Sequence, residues 1–206
     1  MTHHSGTHHS RQPGLPHPPD SQRMFFALPL TEPPAANLAP YQRLCQLKDA
    51  IPGKGRTVSD ANLHLTLAFL GHITDEQTGQ LIRAVSQLAV PAFSMHFNLL
   101  RYWKRSRVLW LGGDICPEPL AHLAAQLSQL ALELGLRHDT RRYTPHITLR
   151  KNLRQRPVIP DQQPDFLFHF QRFGLYISEP DGPGVRYRLT HQWPLIQPEI
   201  PVQDSE

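Results

Sequence analysis

Cysteine is nearly absent: the chain has two, Cys45 and Cys116, and they form no CxxC pair. That excludes a disulfide framework and leads us to expect two reduced thiols in a cytoplasmic protein. Long apolar runs are missing as well. No stretch approaches the ~18 residues a membrane helix requires, and Met1 to Ser21 lacks the apolar core of a secretory signal. Charged residues are sparse at 18%, against a usual ~25%. Lysine is the scarcest of them, with four beside 17 arginines in a chain of net charge +4. Guanidinium is the better fork for phosphate, so this imbalance points to a phosphate-bearing partner. Apolar residues are plentiful, 39% of 206 residues with 8% aromatic, which excludes wholesale disorder. That length suits one domain, or two small lobes sharing a core.

Residues 1–22 carry His3, His4, His8, His9 and His17 among Ser, Gly and Pro. They read as a disordered leader that suggests no tetrahedral metal-ligand set. A folded domain is expected over 23–196, with 197–206 a short acidic tail. Met24 to Leu28 suits a buried strand, and Asn37 to Ile51 has Leu38, Tyr41, Leu44, Leu47 and Ile51 at helical spacing. Asn62 to Leu70 alternates, with Leu63, Leu65, Leu67 and Phe69 on one face and Asn62, His64, Thr66 and Ala68 on the other. Thr74 with Gln77 resembles a capping box opening a helix to about Leu88. Further strands are expected at 93–103, 108–111, 143–150, 166–177 and 185–193, and a helix at 117–134 stopped by Gly135. The stretch 155–164 reads as a surface loop.

The order conceals a repeat. Strand 24–28, helix 37–51 and strand 62–70 form one series; strand 108–111, helix 117–134 and strand 143–150 form another. Met24 to His64 spans 40 positions and Val108 to His146 spans 38. A duplicated unit of this kind predicts an α+β fold of two pseudo-symmetric lobes, each an antiparallel sheet with outer helices, and a cleft between them.

The two equivalent strands share a tetrapeptide, His64-Leu65-Thr66-Leu67 and His146-Ile147-Thr148-Leu149. With 13 His and 11 Thr in the chain, His-x-Thr alone arises by chance about once. His72-Ile73-Thr74 and His138-Asp139-Thr140 also fit it, but no apolar residue follows either Thr. Requiring apolar residues at both variable positions lowers the chance expectation to roughly 0.1, and only the two strand copies remain. The plainer reading is two half-buried histidines bonded to neighbouring threonines. The matched places in the repeat favour function.

These motifs resemble the two-histidine (2H) phosphoesterase superfamily, and within it the bacterial and archaeal RNA 2′,3′-cyclic phosphodiesterases, also called 2′-5′ RNA ligases. Residues 23–28, 62–71, 105–112 and 143–149 carry the resemblance, which spans about 23–196. His72 stands where such proteins more often have an acidic or polar residue, and no role is attached to it. The resemblance implies that His64 is the proton donor to the 3′ oxygen and His146 the proton acceptor. It implies hydrolysis to a 2′-phosphomonoester and, in reverse, joining of a cyclic end to a 5′-hydroxyl without ATP.

Elementary chemistry agrees. Opening a cyclic phosphodiester in line needs a base for water and an acid for the departing ribose oxygen, on opposite sides of phosphorus. Imidazole titrates near neutrality and can serve as either. Thr66 and Thr148 lie two residues beyond each His, on the same strand face, where their hydroxyls can donate to the non-bridging oxygens. No cofactor or metal is expected. Alternation also puts Arg150 on the Thr148 face, where Ala68 is its counterpart, so Arg150 is expected to keep His146 neutral, with a pKa below that of His64.

Four cations lie between Arg101 and Arg107, and seven between Arg137 and Arg156 against Asp139, while 157–206 holds three Arg and seven acids. Such runs are either solvated faces or the edge of a cleft that holds RNA phosphates. Arg150 is the leading phosphate contact and Arg107 a second; Tyr143 either stacks a terminal base or belongs to the core. The expected partner is RNA ending in a 2′,3′-cyclic phosphate, tRNA fragments among the candidates, acted on by a monomer. The rivals are a 2H enzyme for small cyclic phosphates such as an ADP-ribose cyclic phosphate, a non-catalytic RNA-binding module, and a metal hydrolase.

Overall fold

Met24 to Leu28 are apolar on both sides of an extended chain, and such a strand is stable only with covers on both faces. The computed structural model, which describes residues 20–31, 34–136, 141–161 and 163–197, supplies them. The strands are β1 (Ser21–Pro29), β2 (Arg56–Thr57), β3 (His64–Thr74), β4 (Phe93–Phe97), β5 (Leu99–Trp103), β6 (Val108–Gly112), β7 (His146–Lys151), β8 (Phe166–Phe170), β9 (Arg172–Asp181) and β10 (Gly184–Pro194). The helices are α1 (Leu38–Ala50), α2 (Asp75–Val85) and α3 (Glu118–Glu133).

The fold is α+β, as expected. Eight strands form one sheet in the order β10-β9-β1-β3-β7-β6-β5, with β2 also on β7, and β4 and β8 form a separate ribbon. Every pairing between these strands is antiparallel, and an isolated bridge between Pro91 and Ile196 is parallel. The two sheets expected of two lobes are here the halves of one sheet. They meet between β3 and β7 at the pair Leu65↔Ile147. About that junction β1-β3 and β7-β6 are mirrored in order, which is the arrangement the concealed repeat predicts. Helix α3, which connects β6 to β7, packs on β3 and α2, so it ties one half to the other. A single apolar core runs through both halves, from Phe26 and Leu65 to Leu111, Leu127 and Leu149.

Several local readings change. β1 starts at Ser21, two residues before the expected boundary, and β3 runs on through Gly71 so that His72 pairs with Arg23 in a strand rather than standing at a turn. The expected strand 93–103 divides at Asn98 because β4 pairs with β8 while β5 pairs with β6. The expected strand 166–177 divides at Gln171 into β8 and β9. Leu38 faces solvent, off the buried stripe of α1. The Thr74–Gln77 capping box is formed in both directions, with α2 ending at Val85. The five leader histidines and residues 198–206 lie outside the described residues. Among the described residues no helix is long and apolar enough to cross a membrane.

Asn37 fastens the start of α1 to the ribbon. Its buried amide donates to the His169 carbonyl at 2.8 Å and accepts the His169 N–H at 2.9 Å. Asn37→Ala strands both backbone groups. It is expected to cost about 1–3 kcal/mol, measured as a lower urea midpoint with unchanged m; an unmoved midpoint contradicts this account of the seam.

Candidate active site

Leu65 and Ile147 are fully buried beneath the junction. Alternation therefore turns His64, Thr66, His146 and Thr148 to the opposite face, all four half-buried. The antiparallel register sets His64 beside Thr148 and Thr66 beside His146. The four motif residues of the sequence are thus brought together on one patch.

Each imidazole is fixed in the same way. His64 Nδ1 lies 2.7 Å from the Asn62 carbonyl and His146 Nδ1 lies 2.8 Å from the Thr144 carbonyl. A carbonyl only accepts, so Nδ1 carries the hydrogen and Nε2 is left for the cleft. His64 Nε2 accepts the Thr66 hydroxyl at 2.9 Å. The Asn62 side chain in turn donates to the Val185 carbonyl at 2.6 Å and accepts the Tyr187 N–H at 3.1 Å, so it binds β10 to the foot of β3. Aromatic rings wall both histidines. Phe25 and Tyr187 stand 5.1 and 5.0 Å from His64, and Trp103 and Trp110 stand 4.6 and 6.0 Å from His146. This burial pushes the His64 pKa down from 6.5 to about 4, with Lys151 and His146 adding to the shift. Burial also lowers His146, helped by Lys151 and Arg141.

Arg150 is not where alternation puts it. Trp110 pairs with Thr148 and Leu109 with Arg150, so Leu149 is an extra residue in β7, a β-bulge that switches the faces beyond it. Arg150 turns away from the histidines and donates to the Thr57 hydroxyl at 3.0 Å and to the Ile51 carbonyl. It ties β7 to β2 and to the end of α1, so the expected depression of His146 by Arg150 lapses, and the expected order is reversed because burial lowers His64 more than His146. Lys151 is the cation whose charge lowers both imidazoles. The other half has the same bulge at Leu67, between the pairs Phe26↔Ala68 and Ala27↔Thr66. It buries Ala68 and swings Phe69 onto the histidine face, 6.0 Å from Phe25 and 48% exposed, reversing the expected assignment of both.

Tyr143 does two jobs. Its hydroxyl donates to the Thr66 carbonyl across the junction at 3.0 Å, and its ring packs on the core while lining a cleft of about 650 Å³. Phe69, Trp103, Thr66, His146 and Thr148 share that cleft with the small α3 residues Ala121, Ala124 and Ala125. Arg107 sits exposed in the β5–β6 turn with left-handed backbone (φ +55°), outside the cleft lining. Among the described residues no three or more His, Cys, Asp or Glu side chains gather to hold a metal ion.

A family model described as LigT like Phosphoesterase matches residues 28–110. The RNA 2′,3′-cyclic phosphodiesterase of Escherichia coli K12 is 32% identical over 178 residues, 86% of this chain and 99% of that protein. The chain belongs to the LigT-like phosphoesterase family, in the 2H superfamily. A crystal structure of E. coli LigT complexed with 3′-AMP superposes with a TM-score of 0.78 at 32% identity, covering 86% of this chain and 99% of that one. A Thermus thermophilus protein shares the fold at 22% identity and a TM-score of 0.72, over 84% and 97% of the two chains.

For this phosphoesterase two outcomes are expected. As pH falls, the unfolded chain takes up protons near 6.5 before the folded histidines do, so stability is full above that value and declines toward pH 4. NMR titration of the free protein then finds the His64 midpoint near 4; a midpoint at or above 6.5 contradicts the burial argument. Separately, a Cβ at Gly112 would stand 2.5 Å from the Trp110 ring. Gly112→Ala must displace the ring beside His146, costing about 1–3 kcal/mol, read as a lower thermal midpoint.

Proposed function

We propose that this phosphoesterase opens the 2′,3′-cyclic phosphate at an RNA end to a 2′-phosphomonoester, with His64 as acid and His146 as base. The observation that carries the reading is the pair of identically locked imidazoles on one face, each with Nδ1 on the carbonyl two residues back. Water attacks phosphorus and gives its proton to His146 Nε2. The bond to the 3′ oxygen breaks in line, and His64 Nε2 protonates that oxygen. With a 5′-hydroxyl in place of water as the nucleophile, the P–O3′ bond of the cyclic ester breaks in the same way and the product is a 2′-5′ phosphodiester, so this ligation needs no ATP.

Thr66 has a part in both states. While His64 is neutral the hydroxyl rests on Nε2; once Nε2 gains a proton, that hydroxyl is released to donate to a non-bridging oxygen, as Thr148 does from the other strand. Lys151 faces the same centre and neutralises phosphate charge. The substrate's anion restores the imidazolium that burial removes. Burial lowers both imidazoles, His64 the more strongly, and the assignment of His64 as acid rests on the phosphate anion raising it once bound. Phe69, Trp103 and Tyr143 offer faces for the terminal base. The LigT structure with 3′-AMP supports a nucleotide-sized occupant. Arginine-rich surfaces favour an RNA chain over a small cyclic phosphate.

The test is cleavage of a 2′,3′-cyclic-ended oligonucleotide in EDTA. The expected product keeps phosphate on the 2′ oxygen, and His64→Ala and His146→Ala each lose about 10²–10⁴ in kcat. The limb at which activity falls with rising pH is the loss of the His64 proton, so it lies higher in kcat than in kcat/KM. A 3′-phosphate product, or full activity in either alanine variant, overturns the assignment.

A further inference from the structure

A second, smaller pocket opens beside Tyr187, the ring that packs on His64. Its volume is about 230 Å³, and Arg56, Ser59, Asn62, Lys151, Asp181 and Tyr187 are among the residues that line it. Arg56 and Lys151 stand directly opposite each other where β2 pairs with β7. Neither makes an ion pair with a carboxylate among the described residues; Arg56 spends one N–H on the Pro183 carbonyl at 2.9 Å. Arg23 adds its field from β1, and together with burial these neighbours push the Lys151 ammonium down. Cations held this close repel one another, and an anion placed among them relieves the repulsion. The pocket adjoins the reacting centre through Tyr187, whose ring lies 5.0 Å from His64, and the charge of Lys151 is felt by both imidazoles.

We propose that this pocket binds a second phosphate of the substrate, the phosphodiester that joins the cyclic-ended nucleotide to the nucleotide before it. The inference rests on the reading of the site as a cyclic phosphodiesterase of RNA ends. The two pockets divide the work by size and lining. The 650 Å³ cleft has aromatic and small apolar walls suited to a base, whereas the 230 Å³ pocket offers the Arg56 guanidinium, the Lys151 ammonium and the Ser59 and Tyr187 hydroxyls, donors that phosphate oxygens take, against the single carboxylate of Asp181. A nucleotide seated with its cyclic phosphate between His64 and His146 has one further attachment, its 5′ oxygen, and the cationic pocket is where that attachment leads. Selection of chains over single nucleotides then resides in Arg56, away from the reacting atoms.

The experiment compares kcat/KM for a cyclic-ended dinucleotide with that for the corresponding nucleoside 2′,3′-cyclic phosphate. Wild-type protein is expected to prefer the dinucleotide. Arg56→Gln lowers the ratio about tenfold and reduces the slope of log kcat/KM against log salt for the dinucleotide by about 0.7; Arg56→Lys retains most of both. Arg23→Gln, on a different strand, moves the ratio the same way by less, which guards against a folding defect at Arg56. A ratio near one in the wild type, or a ratio that Arg56→Gln leaves in place, overturns the proposal. Failure of wild-type protein to cleave either substrate overturns the underlying functional reading instead.

Discussion

One strand pairing decides what this chain can do. β3 and β7 touch at Leu65 and Ile147, and that contact alone sets two histidines and two threonines from distant parts of the sequence on one surface. Slipping the register by one residue would send all four into the core and bring leucines to the surface. The fully buried Leu65 and Ile147 oppose that slip, because exposing them forfeits about 1.5–3 kcal/mol for each side chain. Packing beneath the sheet thus guards the geometry above it. Helix α3 adds to this by leaving one half of the sheet and packing on the other.

The sequence makes the junction legible and leaves its surroundings obscure. Period-two alternation from Leu63 to Leu67 and from His146 to Leu149 is enough to put each His with its Thr, and the matched spacing of the halves is enough to bring the pairs together. Alternation fails one residue later, at Leu67 and Leu149. Nothing in a leucine announces that it has no partner across the ladder, since the bulge is a property of the pairing rather than of the residue. Arg150, Ala68 and Phe69 are therefore misassigned by pattern alone, and Lys151 is passed over. The contributions of Tyr187, Trp103 and Trp110 depend on which strands lie at the sheet's flanks, and local period carries no such information. The break at Asn98 is hidden for the same reason: one apolar run serves two sheets.

Burial gives the site its working state. Aromatic walls on both imidazoles make the charged form costly, so the empty site holds two neutral histidines with Nε2 facing the cleft. The same low-polarity walls strengthen any charge interaction made inside them. A phosphodiester anion is then not merely admitted; its charge is what allows an imidazolium to form beside it. In the mechanism proposed above, the acid is created by the molecule it acts on, which ties proton transfer to correct occupancy.

The two halves are equivalent up to the bulge and diverge directly after it. Three residues beyond Thr66 stands Phe69, and three beyond Thr148 stands Lys151. The matched bulges turn both onto the histidine face, one into the wide apolar cleft and the other into the small cationic pocket. A perfectly symmetric site would accept its substrate in either direction and could assign neither histidine a fixed role. An aromatic ring on one side and an ammonium on the other break that degeneracy, because a base and a phosphate are not interchangeable between them. On the proposed reading, direction across the junction is set one step outside the two His-x-Thr tetrapeptides, at the first positions where the bulge lets the two copies differ in chemistry.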